Sequence, residues 1–134
     1  RNQVRPIRRL AEAAEAFGVL PGTKTVTMAR KAMKGWSSIY LLSSVMPPNL
    51  VRALEKSAGV HIYNPGNDAL YANRSYITIN GATAGDKTIA LPFEADVYDA
   101  LTEDILYKNV TRFDTSLMVG ETQIFRIAPR PATN

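Results

Sequence analysis

From Asn64 to Ile127 the chain is cut by the turn signals NPGND, NGATAGD and VGE into short segments rich in β-formers: ALYA, SYITIN, KTIALP, ADVYDAL, ILYKNV, TRFDTSLMV and ETQIFRI. Within one of them Phe113, Thr115, Leu117 and Val119 alternate with Arg112, Asp114, Ser116 and Met118. That two-residue period belongs to a strand with one buried face. Many short strands so spaced predict an antiparallel β-sandwich. Its core is expected from Ile77, Ile79, Ile89, Leu91, Val97, Phe113, Leu117 and Phe125. NGATAGD lacks the Lys-Ser/Thr of a phosphate-binding loop and reads as a hairpin connection.

The first half has another character. In PIRRLAEAAEAFGV, Ile7, Leu10, Ala11, Ala14 and Phe17 recur at helical spacing, with Pro6 in the first turn and Gly18 at the C-terminal cap. KTVTMARKAM reads as a strand broken by Lys34 and Gly35. WSSIYLLSSV follows as a second strand, and its consecutive Ile39, Tyr40, Leu41 and Leu42 predict a central strand buried on both faces. In MPPNLVRALEKSAG the prolines hold Met46 extended and then admit a helix, with Leu50, Val51, Leu54 and Ala58 as its apolar stripe and Gly59 as its stop. VHIYN reads as a returning strand, and strand, helix, strand within about 30 residues predicts a right-handed parallel crossover. Leu50, Val51 and Leu54 are then expected to pack on the strand carrying Ile39 and Leu41. The expectation is an α+β chain: a short βαβ segment over 1–64, read as the tail of a larger domain, an antiparallel β-sandwich over 65–128, and a disordered polar tail over 129–134.

A chain of 134 residues, 46% of them hydrophobic, can bury one core or two small sub-domains sharing an interface. No apolar run approaches the roughly 18 residues of a membrane span, and no apolar stretch near the N-terminus resembles a signal peptide. A soluble protein is expected. The sequence holds no cysteine, which excludes disulfides, thiolate zinc and a cysteine nucleophile but leaves the compartment open. A start at Arg1 rather than at methionine fits a processed product or a piece of a longer protein. The formal charge of +4 is concentrated up to Trp36, where Arg1, Arg5, Arg8, Arg9, Lys24, Arg30, Lys31 and Lys34 oppose only Glu12 and Glu15. Such a stretch suits phosphates or an acidic partner. Because no stacking aromatics interleave the charges, a solvated face is the better reading than nucleic-acid contact.

Chemistry-bearing residues are sparse. The single histidine, His61, stands in AGVHIYNPGND between Val60 and Ile62, with Asp68 seven positions on behind a turn. In that apolar setting a structural histidine outweighs a general base, and two ligands do not make a metal site. His61 and Asp68 are therefore read as a structural junction, with a contact between them across the turn left open. Neither a metal nor a cofactor is expected. Glu94, Asp96, Asp99, Glu103 and Asp104 cluster in FEADVYDALTED. Paired carboxylates serve glycoside hydrolysis, but on a strand and its turn they read as a solvated edge. Trp36, Tyr63, Tyr71, Tyr76, Tyr98 and Tyr107 offer flat faces for pyranose rings. Trp36, Tyr63 and Tyr71 are the carbohydrate-contact candidates taken from this set.

The stretch from GWSSIYLLSSV through AGVHIY and GDKTIALP, followed by VYDALTEDILY and GETQIFRI, resembles the C-terminal region of bacterial β-galactosidase-like glycoside hydrolases. The resemblance spans about Thr25 to Ile127. It implies an α/β segment similar to the tail of the trimerisation domain of those enzymes, then the small β-sandwich that closes many of them. Their catalytic carboxylates lie on a TIM barrel of about 250 residues, for which this chain has no room, so no catalytic residue carries over. The implied role is a non-catalytic accessory region serving interdomain packing, oligomerisation or carbohydrate contact. Its partners would be carbohydrate and other domains or subunits of a parent protein. The rival readings are a stand-alone carbohydrate-binding module and a basic nucleic-acid-binding protein.

Overall fold

The computed structural model describes residues 14–43 and 45–130. Over these the chain is α+β, with antiparallel sheets and a single short helix. It divides into two compact units, Arg1–Pro47 and Pro48–Asn134. The expected division after Asn64 thus falls inside the second unit. Residues 48–68 are closed on themselves and tied to that unit's sheet: within the segment Arg52 donates to the Gly66 carbonyl at 2.6 Å and to Asn67 Oδ1 at 2.8 Å. The Ala90 N–H donates to the Tyr63 carbonyl at 2.7 Å.

In the first unit β1 (Glu15–Val19), β2 (Val26–Met33) and β3 (Trp36–Leu41) form an antiparallel sheet in that order. The β2–β3 register runs from Met28 opposite Leu41 to Met33 opposite Trp36, closed by the turn at Lys34 and Gly35. Two expectations are corrected here. Glu15 to Gly18 is strand and not the end of a helix, because pairing Ala16 with Ala29 and Val19 with Val26 satisfies backbone groups that a helix end leaves open. The earlier part of that predicted helix lies outside the described residues. And β3 is an edge strand, not a central one; none of the residues of the three strands is buried. Consecutive apolar residues such as Ile39 to Leu42 report a surface that wants covering, and periodicity alone does not say by what.

The second unit opens with α1 (Pro48–Ser57). Pro48 suits the first turn, where a missing N–H costs nothing. At the other end Gly59, at φ 74°, lets its own N–H reach the Lys56 carbonyl at 3.1 Å and the Val60 N–H reach the Glu55 carbonyl at 2.9 Å. This paired closure satisfies the last carbonyls of the helix. No residue of α1 is fully buried. The expected returning strand does not form, so there is no parallel crossover among the described residues: Val60 to Asn64 is irregular and β3 pairs only with β2. The cause lies at Asn64, whose side chain replaces the backbone as donor to the Thr88 carbonyl at 3.2 Å and which is followed by Pro65, a residue with no N–H.

Five strands complete the unit: β4 (Ala69–Ala72), β5 (Tyr76–Asn80), β6 (Gly85–Asp99), β7 (Ile105–Leu117) and β8 (Thr122–Pro129), in sheet order β4-β5-β8-β6-β7. KTIALP and ADVYDAL are one long strand, as are ILYKNV and TRFDTSLMV. The β6–β7 hairpin breaks register between Ala90 and Ala95, around Pro92. Past the break Ala95–Asp99 pairs with β8 as well as β7, whereas Gly85–Ala90 pairs with β7 and meets Tyr63 at its other edge. The register break therefore gives the two halves of the hairpin different neighbours. Because β8 lies between β5 and β6, the NGATAGD loop is a crossing connection and not a hairpin turn.

All eight expected core residues are buried, joined by Ala95 and Ile127. Phe113 on β7 meets Phe125 on β8 edge to face, with ring centroids 5.0 Å apart. Such a pair adds geometric preference to the area it buries. The expected disordered tail begins too early at residue 129: Pro129 belongs to β8, and the Arg130 N–H donates to the Glu94 carbonyl at 3.0 Å. Residues 131–134 lie outside the described set.

Candidate functional site

The junction is built of two separate clusters. His61 Nε2 meets the Ala90 carbonyl at 2.9 Å, and its ring stands edge-on to Tyr63 at 4.7 Å between centroids. Asp68 instead pairs with Lys87 at 3.0 Å and accepts the Ala82 N–H at 3.0 Å, while Lys87 also donates to Thr83 Oγ1 at 2.8 Å. No hydrogen bond or ion pair joins His61 to Asp68 among the described residues. The two are drawn apart because each is satisfied by a different part of the β5–β6 connection and β6. Burial raises the Asp68 pKa, but the Lys87 ammonium and the Ala82 and Thr83 N–H groups outweigh it, and the net displacement is downward from 3.8. The cluster is a lock on a crossing loop.

The three carbohydrate candidates fall in different settings. Trp36 opens β3 in the first unit and is 60% exposed. Tyr63 is half-buried, packed against the sandwich core. Tyr71, on β4, is 77% exposed. Trp36 is in one unit, Tyr63 and Tyr71 in the other.

A different group is gathered. With Ile77, Phe125 and Val97 in the core, strand alternation puts Tyr76, Arg126 and Tyr98 together on the opposite face, in one cross-strand row, Tyr76 opposite Arg126 and Arg126 opposite Tyr98. In the adjoining row Tyr71 lies opposite Thr78. The Arg126 guanidinium sits 3.9 Å from the centroid of the Tyr98 ring and donates through Nε to Glu103 at 2.8 Å. Desolvation pulls the Arg126 pKa down, but Glu103 and Tyr98 more than offset it, so the guanidinium is held charged. Glu103 lies on the β6–β7 turn at φ 60°, a conformation side-chain-bearing residues seldom adopt. Sequence reading singled out the tyrosines but missed Arg126. Its alternation with Phe125 and Ile127 marks it as outward-facing, yet only strand order reveals its aromatic neighbours.

The acidic stretch is dispersed into separate structural tasks. Asp96 accepts the Asn109 N–H at 2.8 Å and pairs with Arg130 at 3.2 Å; the backbone bond first and the arginine second lower its pKa against a smaller effect of desolvation. Asp99 accepts from the Leu101 and Thr102 N–H groups, which also lower its pKa. Carboxylates so displaced are poor proton donors near neutrality. Among the described residues no group of three or more His, Cys, Asp or Glu is placed to hold a metal ion. No helix there is long and apolar enough to cross a membrane.

Fold and site together define a small antiparallel β-sandwich module with a short helix, preceded by a three-stranded antiparallel sheet. Among solved structures the chain is similar to the β-galactosidase from Bacillus circulans sp. alkalophilus, with a TM-score of 0.59 and 19% sequence identity. The match covers 88% of this chain and 18% of that one. At this identity the likeness is one of fold. No protein-family model and no curated protein matches the chain.

Proposed function

We propose that this chain is a non-catalytic accessory region of a glycoside-hydrolase-like protein, whose three-stranded sheet packs against another domain or subunit and whose sandwich contributes contact with carbohydrate. The observation that carries the docking part is the exposure of the apolar residues of β1–β3: Phe17, Val19, Met33, Trp36 and Ile39 are all exposed on a sheet with no buried residue, Met33 and Trp36 on one face and Val19 and Ile39 on the other. A sheet of three short strands draws its stability from apolar side chains that are covered, and here that cover has to come from outside the three strands. The likeness to a segment of a much longer β-galactosidase chain supports the same reading.

The chain should not turn over a chromogenic galactoside. Turnover that disappears in Glu94→Gln or Glu103→Gln would overturn the accessory reading.

A further inference from the structure

The face of the five-stranded sheet turned away from the core carries a row in which a guanidinium stands between two tyrosines. Arg126 is fixed on two sides, by the Tyr98 ring at 3.9 Å and by Glu103 at 2.8 Å. Tyr76 next to it is 45% exposed, and Tyr71, diagonal to Tyr76 across the β4–β5 pair, is more so. Tyr76 and Tyr98 are separated by β8, which puts their strands about 9.5 Å apart, two interstrand spacings. A left-handed backbone at Glu103 brings its carboxylate to Arg126. A non-glycine residue so held is strained and persists where its surroundings enforce it.

We propose that this face, with Arg126 pinned between Tyr98 and Glu103 beside Tyr71 and Tyr76, binds an uncharged pyranoside chain. The charges of Arg126 and Glu103 cancel, so the row offers no net field to attract a polyanion. It does offer fixed donors and a carboxylate acceptor side by side, the complement of vicinal sugar hydroxyls, which both donate and accept. The flanking rings present apolar faces to the C–H faces of pyranose rings. Pre-fixing the guanidinium removes part of the ordering cost of binding. The inference deepens the carbohydrate part of the proposed function and is independent of its docking part.

The test is a titration of the full isotopically labelled chain by two-dimensional NMR with galactotetraose, cellotetraose and, as the anionic arm, tetragalacturonate. A neutral oligosaccharide should perturb the amides around Tyr71, Tyr76, Tyr98 and Arg126. Tyr76→Ala and Arg126→Ala should each weaken binding at least about tenfold. Arg126→Lys, lacking the planar fork, should not restore it. Trp36→Ala should bind as the parent does, and unchanged Ile77 and Ile79 resonances will show that each variant is folded. Perturbations centred on Trp36 would overturn this site while leaving carbohydrate contact standing. Tighter binding of tetragalacturonate would overturn the uncharged ligand, and no response to any sugar would overturn the carbohydrate part altogether. A loss of docking with sugar binding retained would leave the site intact.

Discussion

Lys87 Nζ lies 3.0 Å from Asp68 Oδ1, and their side chains are only 8% and 3% exposed. The pair joins the start of β4 to β6 and, through Ala82 and Thr83, fastens the loop that crosses between β5 and β6. Such a pair adds little over a well-packed apolar substitute, yet breaking it strands a buried charge.

Asp68→Ala should therefore cost about 3–5 kcal/mol, read from the urea midpoint by circular dichroism. The double variant Asp68→Leu, Lys87→Met should recover most of that loss. A small cost for Asp68→Ala alone would mean that the Lys87 stem lets its ammonium reach water.

The same pair sets a pH dependence. The folded pKa of Asp68 is lowered, so its contribution is complete above the unfolded value near 3.8 and is lost as pH falls through the lower folded pKa. Asp96 and Asp99 are displaced the same way. Stability should fall below about pH 4, and Asp68→Asn should flatten that fall. An unchanged slope in the variant would assign the acid sensitivity elsewhere.

His61→Ala removes the bond to the Ala90 carbonyl and the edge-on contact with Tyr63. A loss of about 1 kcal/mol is expected, which lowers the melting temperature by about 4–8 °C in a unit of this size. An unchanged melting temperature would contradict a structural role for His61.

Gly81 stands where two crossing connections touch. Its N–H donates to the Glu121 carbonyl at 2.9 Å, and its carbonyl accepts the Gly120 N–H at 2.8 Å. A Cβ there would lie 2.5 Å from the Met118 carbonyl oxygen. Gly81→Ala should destabilise by about 1–3 kcal/mol through forced backbone displacement, again read from the urea midpoint.

Glu103→Gly separates ligand binding from folding. It relieves the left-handed strain at φ 60° but releases Arg126 from a solvent-exposed ion pair, and such pairs contribute little to stability. The melting temperature should not fall below that of the parent while affinity for a neutral oligosaccharide falls. A variant that binds as well as the parent would show that Glu103 has no part in recognition.

What the sequence reveals here depends on range. Two-residue alternation is local, so the buried set from Ile77 to Phe125 could be read directly, as could the stop of α1 at Gly59. Strand partners are not local. Nothing in KTIALP or ADVYDAL says that Pro92 marks a bend within one strand, or that β8 separates β5 from β6. The apolar run from Ile39 to Leu42 suggested a central strand because periodicity reports apolar demand and not the partner that meets it. The Arg126 site was hidden for the same reason: Tyr76, Tyr98 and Glu103 are neighbours of Arg126 only through sheet order.

The proposed docking role requires that β1–β3, whose described residues include none that is buried, gains its cover from another domain or subunit. Native-state hydrogen exchange of the monomeric chain tests it most directly. Amides of Ala29 and Lys31 in β2 should exchange at least about a hundredfold faster than those of Ile79, Val97 and Phe125 in the sandwich. Protection of β2 equal to that of the sandwich core would show that the sheet is stable unaided and would contradict the docking role.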